Sequence, residues 1–316
     1  MKRLFFLALL GGVFLSLPSC ASSKAESNNP DVPGRFVFKR AAPGEVGYPN
    51  VYIPKEGVTR KVDVKSTYPS WSPDGQSFAS CYLDTKAIYI FDENRNPIKE
   101  IKCPFNARDV NWSLDGQKLF YVGAEAKVRK ITDTYYLMAY DLKEDKHEKI
   151  KGFGLDEEIY RLYLSPDGKR LTFNISSAVN SSVPDFTYLF NLETKEIKKL
   201  HSKAHPIGWF PDSRHIAIET NTAPDGTWMN KPHGFVAKLN VETMEFEIIH
   251  DNEFHYGQTR LSKDGKYLYY SRNLLKGGRA IFIRSLELNK EVQITKPVPM
   301  QGGFSEDAYP DWYQGE

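Results

Sequence analysis

Trp71-Ser72-Pro73-Asp74-Gly75 recurs along the chain as Trp112-Ser113-Leu114-Asp115-Gly116 and Leu164-Ser165-Pro166-Asp167-Gly168. Looser copies stand at Trp209-Phe210-Pro211-Asp212-Ser213 and Leu261-Ser262-Lys263-Asp264-Gly265. The stretch reads as a tight turn. Pro presets φ, the Asp side chain caps the turn, and Gly takes the position with positive φ. An alternating β-rich run follows each copy, at 77–82, 118–122, 170–174, 215–219 and 267–270. Strand, tight turn and strand make a β-hairpin.

Working outward from the first hairpin, strands are expected at 67–71 (A), 77–82 (B), 87–91 (C) and 98–102 (D). In the later copies the A strands are expected to begin at Asp109, Tyr160, Pro206 and Gln258. The turn Asp residues (74, 115, 167, 212 and 264) are spaced by 41, 52, 45 and 52 residues. A four-stranded unit at that period is the signature of a β-propeller blade. Both ends of the chain complete the pattern. Tyr309-Pro310-Asp311-Trp312 matches Tyr68-Pro69-Ser70-Trp71, an A strand with nothing after it. Residues 35–39, 50–53 and 61–65 read as B, C and D with no A before them. The expected fold is therefore all-β: a six-bladed β-propeller of four-stranded antiparallel blades, closed by pairing of the N- and C-terminal segments in one blade, which removes exposed edges.

The repeat Pro-x-Trp-Ser-Pro-Asp-Gly, with Ile88-Tyr89-Ile90-Phe91-Asp92 on strand C and Val292-Gln293-Ile294-Thr295 on the last strand D, resembles the TolB-type β-propeller repeat. The resemblance covers about residues 35–313, and it implies the propeller fold. The mixed α/β domain that precedes the propeller in TolB itself has no counterpart in residues 1–34.

Lys2 and Arg3, an apolar run over 4–17 and the small residues before Cys20 read as a secretory signal. Leu17-Pro18-Ser19-Cys20 resembles the lipobox of bacterial lipoproteins, in which the Cys becomes the lipidated first residue. Ala21 rather than Asp after it implies, by that resemblance, the outer membrane, on its periplasmic or its surface face. The domains are expected as signal 1–19, lipidated Cys20 with a flexible tether through 34, and propeller 35–316. Without Lys2 and Arg3 the 42 basic and 40 acidic residues become 40 and 40. That balance offers no concentrated basic surface for nucleic acid. Cys81 and Cys103 fall two strands apart, ~9–10 Å by sheet spacing, too far for a disulfide. Both are expected to be free and buried.

In such a blade the A-to-B and C-to-D turns share one face, and the B-to-C and D-to-A loops share the other. The B-to-C loops (41–49, 123–134, 176–185, 221–233 and 273–279) are long and all different, which suits recognition on a rigid scaffold. Where the A strands begin, alignment on the turn Asp collects Arg108, Asp109, Glu158, Tyr160, Arg161, His205, His255, Tyr256, Gln258, Glu306 and Asp307. Such a ring suits a sugar acid, a peptide terminus or a cation; the plainer reading is a hydrated channel lined by compensating charges. Tyr48, Trp228 and Tyr256 are candidate loop aromatics for stacking or anchoring.

No catalytic residue, cofactor or metal is assigned. There is no G-x-S-x-G elbow, P-loop or dinucleotide fingerprint. His201, His205, His250 and His255 lack a carboxylate or Cys that would complete a familiar ligand pattern. Propellers of this repeat that act as oligogalacturonate lyases use His-rich metal sites, which keeps an enzyme in view. The expected function is a lipid-anchored envelope binding or scaffold module that recognises a protein partner, or a peptide or glycan, on the loop face. The rival is an envelope polysaccharide lyase or hydrolase with its site at the channel mouth.

Overall fold

The computed structural model describes residues 32–43, 47–64, 67–81, 85–125, 134–154, 157–177, 185–223, 225–231, 233–252, 257–300, 302–304 and 306–315. The expected signal, Cys20 and the tether up to residue 31 lie outside the described residues, as do His255 and Tyr256.

The chain opens with β1 (Arg35–Ala41), β2 (Tyr48–Ile53) and β3 (Val58–Lys61). The first full repeat holds β4 (Thr67–Trp71), β5 (Ser77–Cys81), β6 (Ala87–Asp92) and β7 (Pro97–Lys102). Next come β8 (Asn106–Trp112), β9 (Lys118–Ala124), β10 (Tyr135–Asp141) and β11 (Lys146–Gly152). The third repeat is β12 (Glu157–Leu164), β13 (Arg170–Ser177), β14 (Phe186–Asn191) and β15 (Ile197–Ser202). The fourth is β16 (Ala204–Trp209), β17 (His215–Thr220), β18 (Phe235–Asn240) and β19 (Phe246–Asp251). The fifth is β20 (Gly257–Leu261), β21 (Tyr267–Asn273), β22 (Arg279–Ser285) and β23 (Glu291–Gln293). A short hairpin, β24 (Pro299–Met300) and β25 (Gly303–Phe304), precedes β26 (Glu306–Tyr313).

The first four repeats are separate four-stranded antiparallel sheets. The other long strands share one mixed, eight-stranded sheet, ordered β20-β21-β22-β26-β1-β2-β3 with β23 on β22. Within it β26 runs antiparallel to β1, from Arg35↔Tyr313 to Ala41↔Glu306. A single parallel pair, Arg279↔Glu306, joins that half to β22. The strands β4, β8, β12, β16, β20 and β26 touch one another in cyclic order, β26 in turn touching β4.

The turns form as their chemistry dictates. Ser72 Oγ donates to Asp74 Oδ1 at 2.6 Å, and the Gln76 N–H donates to the same oxygen at 3.0 Å. Those two bonds hold the Asp74 carboxyl below its usual range, and Ser113 with Gln117 does the same for Asp115. Gly75, Gly116, Gly168 and Gly265 all stand at φ between 67° and 74°. Ser213 holds the same left-handed position at φ 56° without a glycine's freedom. The Trp that opens the turn ties neighbouring sheets together: Trp112 Nε1 donates to the Ser70 carbonyl at 3.0 Å, and Trp209 Nε1 to the Tyr163 carbonyl at 3.3 Å.

Strands inside each sheet are buried on both faces because a sheet packs on either side of them; in β10 all but the last residue are buried. One core cluster joins Ile88, Ile90 and Ile101 to Leu119, Tyr121 and Met138 of the next sheet. The outermost strands are polar, with exposed Lys102, Lys146, Lys149, Lys198 and Lys199 blunting their open edges.

The structure corrects some boundaries. The third strand is Val58–Lys61, not 61–65, because the turn after Ile53 is tight: Gly57, at φ 65°, returns the chain at once and Ile53 pairs with Val58. Packing also begins before residue 35. Val32 is buried, and the Pro33 carbonyl accepts the Trp312 indole N–H at 2.9 Å, so the end of the expected tether belongs to the domain. Cys81 and Cys103 are both buried and are not joined in a disulfide. Burial pushes the Cys81 thiol well up and the Cys103 thiol up to about 12, so neither is a ready nucleophile.

Candidate functional site

Six strands meet around two cavities, and each carries an irregularity. Register shifts interrupt β4, β8, β12, β16, β20 and β26 against their partners. In five of them the extra residue begins with a non-glycine in the left-handed region: Tyr68, Asp109, Arg161, Gln258 and Tyr309, at φ between 49° and 56°. The equivalent position in β16 is Pro206, whose ring forbids positive φ. There the irregularity moves to Gly208, at φ 148°. A bulge re-aims side chains and breaks strict alternation. Successive residues such as Arg108 and Asp109, or Tyr160 and Arg161, therefore line one cavity together.

The cavity on the loop side holds about 260 Å³. Its walls are Tyr68, Arg108, Asp109, Glu158, Tyr160, Arg161, Leu162, Tyr163, Gln258, Thr259, Arg260 and Tyr309. Arg108 Nη1 donates to Glu158 Oε1 at 2.9 Å, and its guanidinium carbon lies 4.8 Å from the Tyr135 ring centre. Asp109 is buried between arginines and accepts the Arg161 N–H at 3.3 Å. Burial pushes its carboxyl up, against the pull of Arg108 and Arg260. Arg161 Nη1 lies 3.9 Å from Glu219. Gln258 Oε1 accepts Ser271 Oγ at 2.8 Å and the Tyr309 N–H at 3.4 Å. The Tyr68 and Tyr309 rings lie 4.6 Å apart, and burial raises the Tyr68 hydroxyl's pKa well above its ordinary value.

The cavity on the turn side holds about 300 Å³ and is more apolar, with Trp71, Trp112, Trp209, Tyr269 and the turn residues Pro73, Leu114 and Pro166 in its walls. Tyr163 and Arg260 line both cavities and separate them. Asp311 fixes that floor. Its carboxylate accepts the Trp71 N–H at 2.7 Å and the Tyr269 hydroxyl at 3.1 Å, and pairs with Arg260 at 3.4 Å.

Of the expected site residues, the structure brings Arg108, Asp109, Glu158, Tyr160, Arg161 and Gln258 together. His205 borders them, 6.1 Å from the Tyr160 ring and 3.4 Å from Asn174 Oδ1. Burial and then Arg161 depress its pKa to about 3, so it is neutral. Asp307 is placed elsewhere. It is fully buried and binds Arg40 at 2.7 and 2.8 Å and the Thr295 hydroxyl, which ties β26 to β1. Glu306 is exposed at the start of β26. His255 and Tyr256 lie outside the described residues. Of the loop aromatics, Trp228 is 56% exposed, while Tyr48 packs its ring 3.7 Å from Lys61 Nζ. Sequence reading missed Tyr68, Tyr163, Arg260 and Tyr309 as cavity residues.

No family model and no curated protein matches the sequence. Solved structures do. TolB from Acinetobacter baumannii aligns with a TM-score of 0.65 at 18% identity, over 90% of this chain and 67% of its own. An oligogalacturonate lyase in complex with manganese gives 0.60 at 12% identity, over 86% and 76%. The β-propeller domain of the trilobed protease from Pyrococcus furiosus gives 0.52 at 16%, over 83% and 81%. At these identities the likeness establishes the fold, a β-propeller of the TolB-like kind, and folds of this kind carry unrelated functions.

Proposed function

We propose that the protein is a binding or scaffold module of the bacterial envelope, a closed six-bladed propeller lipidated at Cys20 that meets a protein partner, or a peptide or glycan, on its loop face. The eight-stranded sheet supports the blade count, since it divides at Arg279↔Glu306 into two antiparallel sets of four. Pairing of β26 with β1 and the cyclic contact of six strands support closure. The observation that carries the binding reading is the loop-side cavity. It sets buried Arg108, Asp109 and Glu158, with half-buried arginines and tyrosines, on inner strands rather than on loops. A site so built is preorganised, and the loops above it can vary without unfolding it. A photo-crosslinking residue at position 228, exposed on the loop side, is expected to capture a discrete partner in cells. The same residue at exposed position 114, on the turn side, is expected not to. Equal capture from both positions, or none from 228, removes the reading.

The second reading, an envelope lyase or hydrolase acting on polysaccharide, draws on the shared fold of an oligogalacturonate lyase. Among the described residues no three His, Cys, Asp or Glu side chains are grouped to hold a metal ion, and His205 already meets Asn174. Turnover of acidic oligosaccharides, followed by the absorbance of an unsaturated product, is the measurement that tests it.

A further inference from the structure

The loop-side cavity holds buried hydrogen-bond donors with no acceptor. Arg108 lines it at 9% exposure. Its Nη1 is used on Glu158, but its Nε and Nη2 have no acceptor. Arg161, on the neighbouring inner strand, has no acceptor for Nη1, because Glu219 at 3.9 Å lies beyond hydrogen-bond reach. Glu158 Oε1 already accepts from Arg108, and Asp109 Oδ2 from the Arg161 N–H. Buried donors without acceptors are rare in folded proteins. A guanidinium fork matches the two oxygens of a planar anion.

We propose that this cavity binds a carboxylate group, with Arg108 and Arg161 as its donors. The inference rests on the binding-module reading and narrows it to a ligand chemistry. A single negative charge fits better than a phosphate dianion, because Glu158 and Asp109 already stand in the wall and repel a second charge. Tyr68, Tyr160, Tyr163 and Tyr309 supply flat, amphipathic sides for the body that carries the carboxylate. A volume of about 260 Å³ suits one end of a chain rather than an extended segment. The C-terminus of a peptide and an acidic sugar both present this chemistry.

Calorimetric titration of the purified protein separates the two sources. One pair of probes is N-acetyl-trialanine and its C-terminal amide; the other is digalacturonate and its methyl ester. At least one free acid is expected to bind, and its neutral twin to bind at least about tenfold more weakly. Inorganic phosphate is expected to compete poorly. Arg161→Gln and Arg108→Lys are each expected to weaken binding of the acid about tenfold or more. Arg108→Lys keeps a cation beside Glu158, so an unchanged melting temperature separates lost recognition from lost folding. Equal binding of acid and neutral twin, wild-type affinity in both variants, or no binding of either acid at about 10 mM overturns the proposal. If crosslinking from position 228 persists while no acid binds, the carboxylate inference fails and the module reading stands.

Discussion

Ser213 shows how a single residue reports on the turn it occupies. Its four counterparts are glycines at the same left-handed φ. A side chain there costs about 1 kcal/mol, partly offset by the flexibility that glycine brings to the unfolded chain. Ser213→Gly is therefore expected to stabilise the protein by about 0.5 kcal/mol, read as a raised urea midpoint at unchanged slope. Asp311 is the opposite case, one carboxylate serving Trp71, Tyr269 and Arg260 on three other strands. Asp311→Asn leaves Arg260 without its ion-pair partner and is expected to cost about 2–4 kcal/mol, measurable by the same unfolding curves. His205 sets a pH dependence. Its folded pKa, about 3, lies below the unfolded value, which is about 6.5. The unfolded state thus takes up the proton first, and stability falls as pH drops through that window. In His205→Gln the melting temperature should depend less steeply on pH between those limits; an identical slope would mean that His205 is not the group responsible.

At the scale of elements, most of the fold was legible. The Pro-Asp-Gly turns set the hairpins, and β4 spans the expected 67–71. The truncated copy at 309–312 identified the strand that pairs with β1. The inner strands were the hard part. β8 and β12 each begin three residues earlier than expected, because a bulge in mid-strand interrupts the period-two pattern that reveals a strand. The same bulges explain the cavity residues that were missed. Tyr68 and Tyr309 occupy the column of Asp109, Arg161 and Gln258, three residues before the Trp or Leu of each turn. The polar members Asp109, Arg161 and Gln258 drew notice, whereas the tyrosines read as ordinary strand residues. Asp307 misled for the converse reason: a carboxylate in the right region of the alignment, but turned into the junction with Arg40. Deleting residues 306–316 removes every partner on that side of β1 and exposes Phe36, which stacks on Trp312 at 5.3 Å. The deletion is expected to abolish cooperative melting of the whole domain; a truncated protein that melts like the full chain would show that β26 is dispensable.

For the whole molecule, the sheets' arrangement separates what is repeated from what is free to differ. The repeated turns, with their Ser–Asp bonds and Trp indole ties, set the spacing of neighbouring sheets on one side. The arginine-bearing cavity lies on the other. Lipidation at Cys20 is expected to show as palmitate-analogue label that is lost in Cys20→Ala, and an unlabelled wild type would remove the membrane from the proposed function. The point where the chain enters the domain has a mechanical meaning. Gly34 lies against Tyr313, and Arg35 binds the Gly75 carbonyl, so the entry is beside the first turn, on the side away from the loops. Tension arriving from upstream of Val32 pulls along β1, which is held on one edge by β26 and on the other by β2. Force in that direction loads the hydrogen bonds of both ladders together, in shear, instead of peeling them one at a time. A load applied at the loop side and resisted at the N-terminus would therefore be shared by both ladders at once.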